Sequence, residues 1–229
     1  MVHKKALRSF FYACNLKIKT IKETSYRFTY NNARFIRHNG LKPMKENFCM
    51  LTAQQQVLVQ AIEELDLAQV QRLLAEGLSP NFIDLEKGPV ISVWSDGLFK
   101  WWEHICEAHE AGTPLSEAEK QQNLIVHMAI LEALIEAKAN LHLWDAEELY
   151  GPLWDAASSA CVPAVQRLLD EKVDPNSKDD EGLTILSSIS DLFFDCDFDA
   201  INWSEALPEE KNTLELLRSH GAKMTKELA

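Results

Sequence analysis

Val70-Gln-Arg-Leu-Leu-Ala-Glu-Gly-Leu-Ser-Pro-Asn81 and Val165-Gln-Arg-Leu-Leu-Asp-Glu-Lys-Val-Asp-Pro-Asn176 are nearly one phrase written twice. They agree in register at Val, Gln, Arg, Leu, Leu, Glu, Pro and Asn, so the chain carries an internal repeat. In the Val-x-x-Leu-Leu frame the apolar residues fall at i, i+3 and i+4, on one face of a helix that has to be buried. Gly77 follows the second Leu of the first copy by three positions, where a helix end takes a left-handed residue, and Pro80 and Asn81 stop the helix from continuing.

The same frame fits twice more. Leu131-Glu-Ala-Leu-Ile-Glu-Ala-Lys-Ala-Asn140 carries Leu134 and Ile135 as its apolar pair, and Leu214-Glu-Leu-Leu-Arg-Ser-His-Gly-Ala222 places Gly221 at the turn. A shorter partner segment precedes each copy: Val57–Ile62, Gly88–Ile91, Gly151–Ala157 and Gly182–Leu186 in chain order. The unit is turn, helix, helix.

On these residues the chain resembles the ankyrin-repeat family over about 52–225. That family's unit runs Gly-x-Thr-Pro-Leu-His-x-Ala-Ala, then a Val-x-x-Leu-Leu helix, then Gly-Ala-x-x-Asn and an Asp opening the next turn. The fullest match is Gly151 to Asp179, with Pro152, Leu153, Ala156, Ala157, Val165, Leu168, Leu169 and Asn176 in place. Asp145 to Asp179 is 34 positions, beside a family period of about 33. The resemblance implies an all-α, ankyrin-like solenoid of about four degenerate helix-turn-helix repeats, which presents a surface to a protein partner.

Two repeats depart in length. Asp84 to Asp145 spans 61 positions, which puts an extra segment around Val93 to Leu115, and Lys172 to Gly221 spans 49, which puts another near Asp191 to Glu210. Trp154 stands where the family has its His, so the family's hydrogen bond from that position does not carry over.

Charge divides the chain. Residues 1–49 hold eleven Lys or Arg against Glu23 and Glu46, a net charge near +9, while the remainder holds 12 basic against 33 acidic residues, near −21. We therefore expect a basic leader over 1–49, disordered or translated from an over-early start with Met44 or Met50 as the natural beginning, ahead of a repeat domain over 50–229. Ser9 to Leu16 is too short, and too closely flanked by Arg8 and Lys17, for a secretory signal. A transit-like or nucleic-acid-binding arm is the other reading of the leader, and the acidic body disfavours nucleic acid. No apolar run of about twenty residues occurs, so no membrane span is expected. Cys14, Cys49, Cys106, Cys161 and Cys196 form no Cys-x-x-Cys pair and suit reduced thiols in a cytoplasmic protein, Cys161 as a packing residue.

Catalysis has no visible address. The chain lacks a Gly-x-x-x-x-Gly-Lys phosphate loop, a Gly-x-Gly-x-x-Gly turn and a Gly-x-Ser-x-Gly elbow. His104, Cys106 and His109 cluster among Glu103, Glu107 and Glu110, and a metal-dependent regulator or enzyme centred there is the alternative reading. Five positions separate the two histidines, however, not the i, i+4 spacing that puts two ligands on one helix face. Asp191, Asp195, Asp197 and Asp199 miss the glycine of a calcium loop and are interrupted by Phe193, Phe194 and Phe198. No metal and no cofactor is expected. His127 falls on an apolar stretch and reads as a satisfied interior or edge histidine.

The two insertions supply the partner-binding candidates. Trp94, Phe99, Trp101 and Trp102 lie within ten residues, and Trp is a frequent interface anchor, although the same rings could cover the widened repeat. Asp191 to Glu210 carries seven acidic residues and no basic one among Phe193, Phe194, Phe198 and Trp203. Asp195, Asp197, Asp199 and Trp203 suit capture of a basic surface, with carboxylates steering the encounter and rings supplying buried area. The expected function is thus non-enzymatic binding of a protein with a basic patch. Charge and architecture suggest by analogy an inhibitor or an immunity-type neutraliser of a basic toxin. Capping boxes at Thr52/Gln55 and Ser116/Glu119 predict helix starts there, and the helical spacing of Leu124, Ile125, Met128, Leu131, Leu134 and Ile135 predicts a long helix from about Ser116 to Ala137.

Overall fold

The computed structural model describes residues 51–228 except 85–86, 143–150, 179–181 and 205. The leader expected over 1–49, and Asp145 and Asp179 that mark the repeat period, lie outside the described residues. Residues 51–229 form a compact unit of their own, and its described part is all-α apart from a minimal β pairing.

Eight α-helices follow one another as four antiparallel pairs among the described residues: α1 (Ala53–Glu63) with α2 (Leu67–Ala75), α3 (Val90–Glu110) with α4 (Glu117–Glu136), α5 (Pro152–Ser158) with α6 (Val162–Asp170), and α7 (Ile185–Phe194) with α8 (Pro208–Ser219). Local chemistry sets the ends. Thr52 and Ser116 each accept from the backbone N–H three residues on, Gln55 or Glu119, whose side chain returns a bond to the capping residue. Asp66 and Thr184 cap α2 and α7 singly through their side chains. Both capping boxes stand where the sequence puts them, and α4 runs to Glu136 with Ala137 as its C-terminal cap, close to where its apolar spacing predicts the end.

Left-handed residues recur at matching places, although a longer segment joins the two helices of the fourth pair. A residue with positive φ sits between the two helices at Leu65, Gly112, Ala160 and Asp195, and another closes each pair at Gly77, Lys138, Lys172 and Gly221. The closing residues lie at the end of the Val-x-x-Leu-Leu frame, where the helix must reverse. Between the first and second pairs β1 (Ile83–Asp84) and β2 (Gly88–Pro89) make a short antiparallel finger, and Lys178 bridges Thr184 at the matching place between the third and fourth.

The pairs stack because one helix alone cannot bury its apolar stripe. First helices pack in a row, α1 on α3, α3 on α5 and α5 on α7, while α2 meets α4 and α6 meets α8 in the second row. Leu58, Val70, Leu73, Ile130, Leu131, Leu134, Leu153, Val165, Leu168, Leu186, Ile189, Leu214 and Leu217 fill the space between the rows and are all buried. The Asn that ends each copy of the opening phrase ties one pair to the next. Asn81 donates to the Lys138 carbonyl at 2.9 Å and accepts from the Asn140 N–H at 2.6 Å. Asn176 does the same to the Gly221 carbonyl at 3.1 Å and the Lys223 N–H at 2.8 Å. Trp154, in the His position of the motif, donates from Nε1 to Ser188 Oγ at 3.1 Å, so it links the third pair to the fourth.

The first insertion is not a separate segment. It is distributed over both helices of the second pair, so that α3 and α4 run 21 and 20 residues where α5 and α6 run 7 and 9. The second is shorter than expected: α7 continues through Phe194 and α8 starts at Pro208, leaving 195–207 with a single 3₁₀ turn at Phe198–Ala200.

Candidate functional site

The turns inside the hairpins lie along one edge of the stack, because α3, α5 and α7 are successive neighbours and each hairpin repeats the same order. At this edge the second hairpin outruns the third, whose turn is only Ser159 to Cys161, while the segment after Phe194 folds back along the fourth hairpin toward Arg218 and Lys226.

The second hairpin carries the tryptophans on two different surfaces. Trp94 is 1% exposed, and its Nε1 donates to the His127 carbonyl at 2.9 Å, so this ring closes the α3/α4 core. Phe99 is also buried, with its ring centroid 6.3 Å from that of Trp154 on the next hairpin. Neither ring meets the expectation of a partner contact, because both are already enclosed. Trp101 and Trp102 remain half-buried at the point where α3 leaves its neighbours. From Lys100 to His109, and from Glu117 to Val126, no described side chain is buried, whereas Val90, Ile91, Val93, Leu98 and Leu134 are. The outer ends of α3 and α4 therefore form a two-helix arm. Lys100 pairs with Asp96 and Lys120 with Glu117, so the arm's two lysines already meet carboxylates.

His104 and His109 are exposed on the arm, the His104 ring centroid lying 5.7 Å from that of Trp101. Among the described residues no group of three or more His, Cys, Asp or Glu is arranged to hold a metal ion. His127 lies inside the hairpin as expected but is not satisfied: Nδ1 has no hydrogen-bond partner, and burial holds the imidazole down at about 4. Cys161 is buried in the third turn, where burial raises its thiol to about 11, which suits packing rather than nucleophilic chemistry.

The fourth hairpin's insertion is an aromatic knot with an acidic rim. Trp203 packs edge-on against Phe198 at 5.4 Å and Phe194 at 6.1 Å, and Phe194 in turn meets Phe193 edge-on. Asp195, Asp197 and Asp199 are exposed, while Trp203 is half-buried. Residues far along the chain complete the knot. Lys226, in the 3₁₀ turn Thr225–Glu227, reaches Asp197 at 3.0 Å and Asp199 at 3.5 Å. The Arg218 guanidinium lies over the Phe198 ring at 5.6 Å and forks onto both Glu227 oxygens, which holds that carboxyl down at about 2.

Glu210 closes the base of the insertion and is the residue that sequence reasoning passed over. It is 3% exposed, accepts from the Leu207 N–H at 2.9 Å through Oε2, and leaves Oε1 without a partner. Burial, reinforced by the neighbouring Glu209 and opposed by the Leu207 hydrogen bond, pushes its carboxyl up to about 7. A Glu at the third helical position after Leu207-Pro208 was the available signal, since a carboxylate there turns back to the capping backbone. Comparison with protein-family models and with curated proteins finds no match for this chain.

Proposed function

We propose that this chain is a non-enzymatic protein-binding module, an ankyrin-like solenoid of four degenerate repeats, whose partner presents a basic surface. The observation that carries the reading is the acidic, aromatic surface of the fourth hairpin, where exposed Asp195, Asp197 and Asp199 surround the Phe194, Phe198 and Trp203 rings. The ankyrin likeness is supported by the four turn-matched helix pairs and by Asn81 and Asn176 bridging to the following turn in the same way. A partner of this kind gains rate from the carboxylates and residence from the rings. The free thiols of Cys161 and Cys196 suit action in a reducing, cytoplasmic setting. Inhibition of a basic toxin is one form such binding takes.

The test is capture from cell extract on the immobilised full chain, compared with the Asp195→Asn/Asp197→Asn/Asp199→Asn variant. The reading expects a basic protein retained at low salt and lost with the triple variant. Retention of the same proteins by both would contradict it.

A further inference from the structure

We infer that the α3/α4 arm is a self-association surface, whose side toward the third hairpin docks on the same side of a second copy of this chain. This is a different surface from the carboxylates of the 195–207 knot, and it takes a different partner.

The neighbours of the arm fix which side chains lie on that side. On α3, Ser95 donates to Asp155 and Phe99 meets Trp154, so this stripe faces the third hairpin. Trp102 and Cys106 follow Phe99 at i+3 and i+7 on the same stripe, past the level at which α5 ends at Ser158. On α4, Glu132 pairs with Arg167 of α6, and Met128 and Ile125 precede it at i−4 and i−7. Ile125 is 52% exposed, and Trp102, Cys106 and Met128 are half-buried. Half-buried Val162 and exposed Pro163 open α6 at the foot of this side. None of these six side chains carries a charge. The opposite side of α3 differs: Lys100, on which Glu63 of α1 acts, is followed by Glu103 and Glu107 at i+3 and i+7.

Shape and charge select a second copy as the occupant. The arm projects about 15 Å, and together with the low third turn beside it forms a step. A step is complementary to its own copy turned by half a rotation, as a two-fold interface requires. Each arm then lies along the other and stands on the other's third turn. About half of residues 100–126, together with 159–163, come to roughly eighteen residues a side, or about 1,200 Å² in all, the lower end of what a specific interface buries. Residues 50–229 carry a net charge near −21, so two copies repel wherever their carboxylates meet and can close only on a face without them. Trp and Met in the absence of Lys, Glu and Asp is also the make-up of an interface core. A basic partner, by contrast, finds no carboxylate here to pair with.

The test is sedimentation velocity on the full chain from about 1 to 100 μM, at about 0.15 M and about 0.5 M salt. The inference expects a reversible dimer at twice the 26.0 kDa chain mass, populated at tens of micromolar. It should be tighter at the higher salt, because screening removes the repulsion between the acidic bodies. Ile125→Glu puts a carboxylate on the face at an exposed helical position and should raise the dimer dissociation constant at least about tenfold. Lys100→Gln, which changes the net charge equally on the opposite side, should leave it within about twofold. Pro163→Glu is the second variant: a carboxylate suits the first turn of α6 and would stand under the other copy's arm, so the dimer should weaken comparably. A monomer throughout this range, a dimer that weakens with salt, a folded Ile125→Glu or Pro163→Glu chain that dimerises like the parent, or equal weakening by Lys100→Gln would overturn the inference.

Discussion

Glu210 and His127 are buried ionisable groups whose protons pull stability in opposite directions. Folded Glu210 holds its proton up to about 7, whereas the unfolded carboxyl releases it near its ordinary value of 4.5. Between those values the folded state binds more protons, so this group's contribution falls as pH rises through the window and levels off above it. His127 does the reverse: its folded value is about 4 against 6.5, and stability is lost as pH falls through that range. Glu210→Gln keeps an acceptor for the Leu207 N–H and removes the first slope. Its melting temperature should exceed the parent's near pH 8 by an amount reflecting on the order of 2–3 kcal/mol, and the gap should shrink toward about pH 5. A gap independent of pH would contradict this. Asn176→Ala should cost about 1–2 kcal/mol in denaturant melts, because it strands the Gly221 carbonyl and the Lys223 N–H together; a neutral result would show that the bridge between hairpins contributes nothing.

At the scale of elements, helices were legible where local chemistry and apolar spacing agreed. Ser116 and Glu119 mark the start of α4, and Leu124 through Ile135 carry its spacing to the observed end at Glu136, capped by Ala137. Leu168 lies fully buried on α6, as the Val-x-x-Leu-Leu frame requires. Leu168→Ala should therefore cost about 2–5 kcal/mol by chemical denaturation, and a loss under roughly half a kcal/mol would contradict the packing of that face. What the spacing could not convey was where a helix outruns its neighbours. Trp94 and Trp102 share one helix, yet the first is enclosed and the second is not, because α5 is 7 residues long beside the 21 of α3. Nor did any local signal link the 195–207 segment to Arg218 and Lys226, since ion pairs and ring contacts of that kind are made by the fold rather than by sequence neighbours. Trp154 shows the same limit. Its place in the motif was readable, but its bond to Ser188 depends on how the fourth hairpin sits against the third.

For the whole molecule, the compact unit over 51–229 contains every element of the stack. A chain starting at Met50 should keep the full chain's thermal transition within a degree or so, since no part of the described core is removed. A markedly lower transition would show that the first 49 residues stabilise the repeats. The larger claim is that a partner with a basic surface is held by the exposed carboxylates and rings of the 195–207 knot, with the α3/α4 arm as a second contact. Hydrogen–deuterium exchange on the full chain, free and bound to the basic protein it captures, tests this most directly. The account predicts slowed exchange concentrated at 100–126 and 195–207, with the finger at 83–89 unchanged. Protection centred on the finger at 83–89 and on 174–184, with the arm and the knot unaffected, would contradict it.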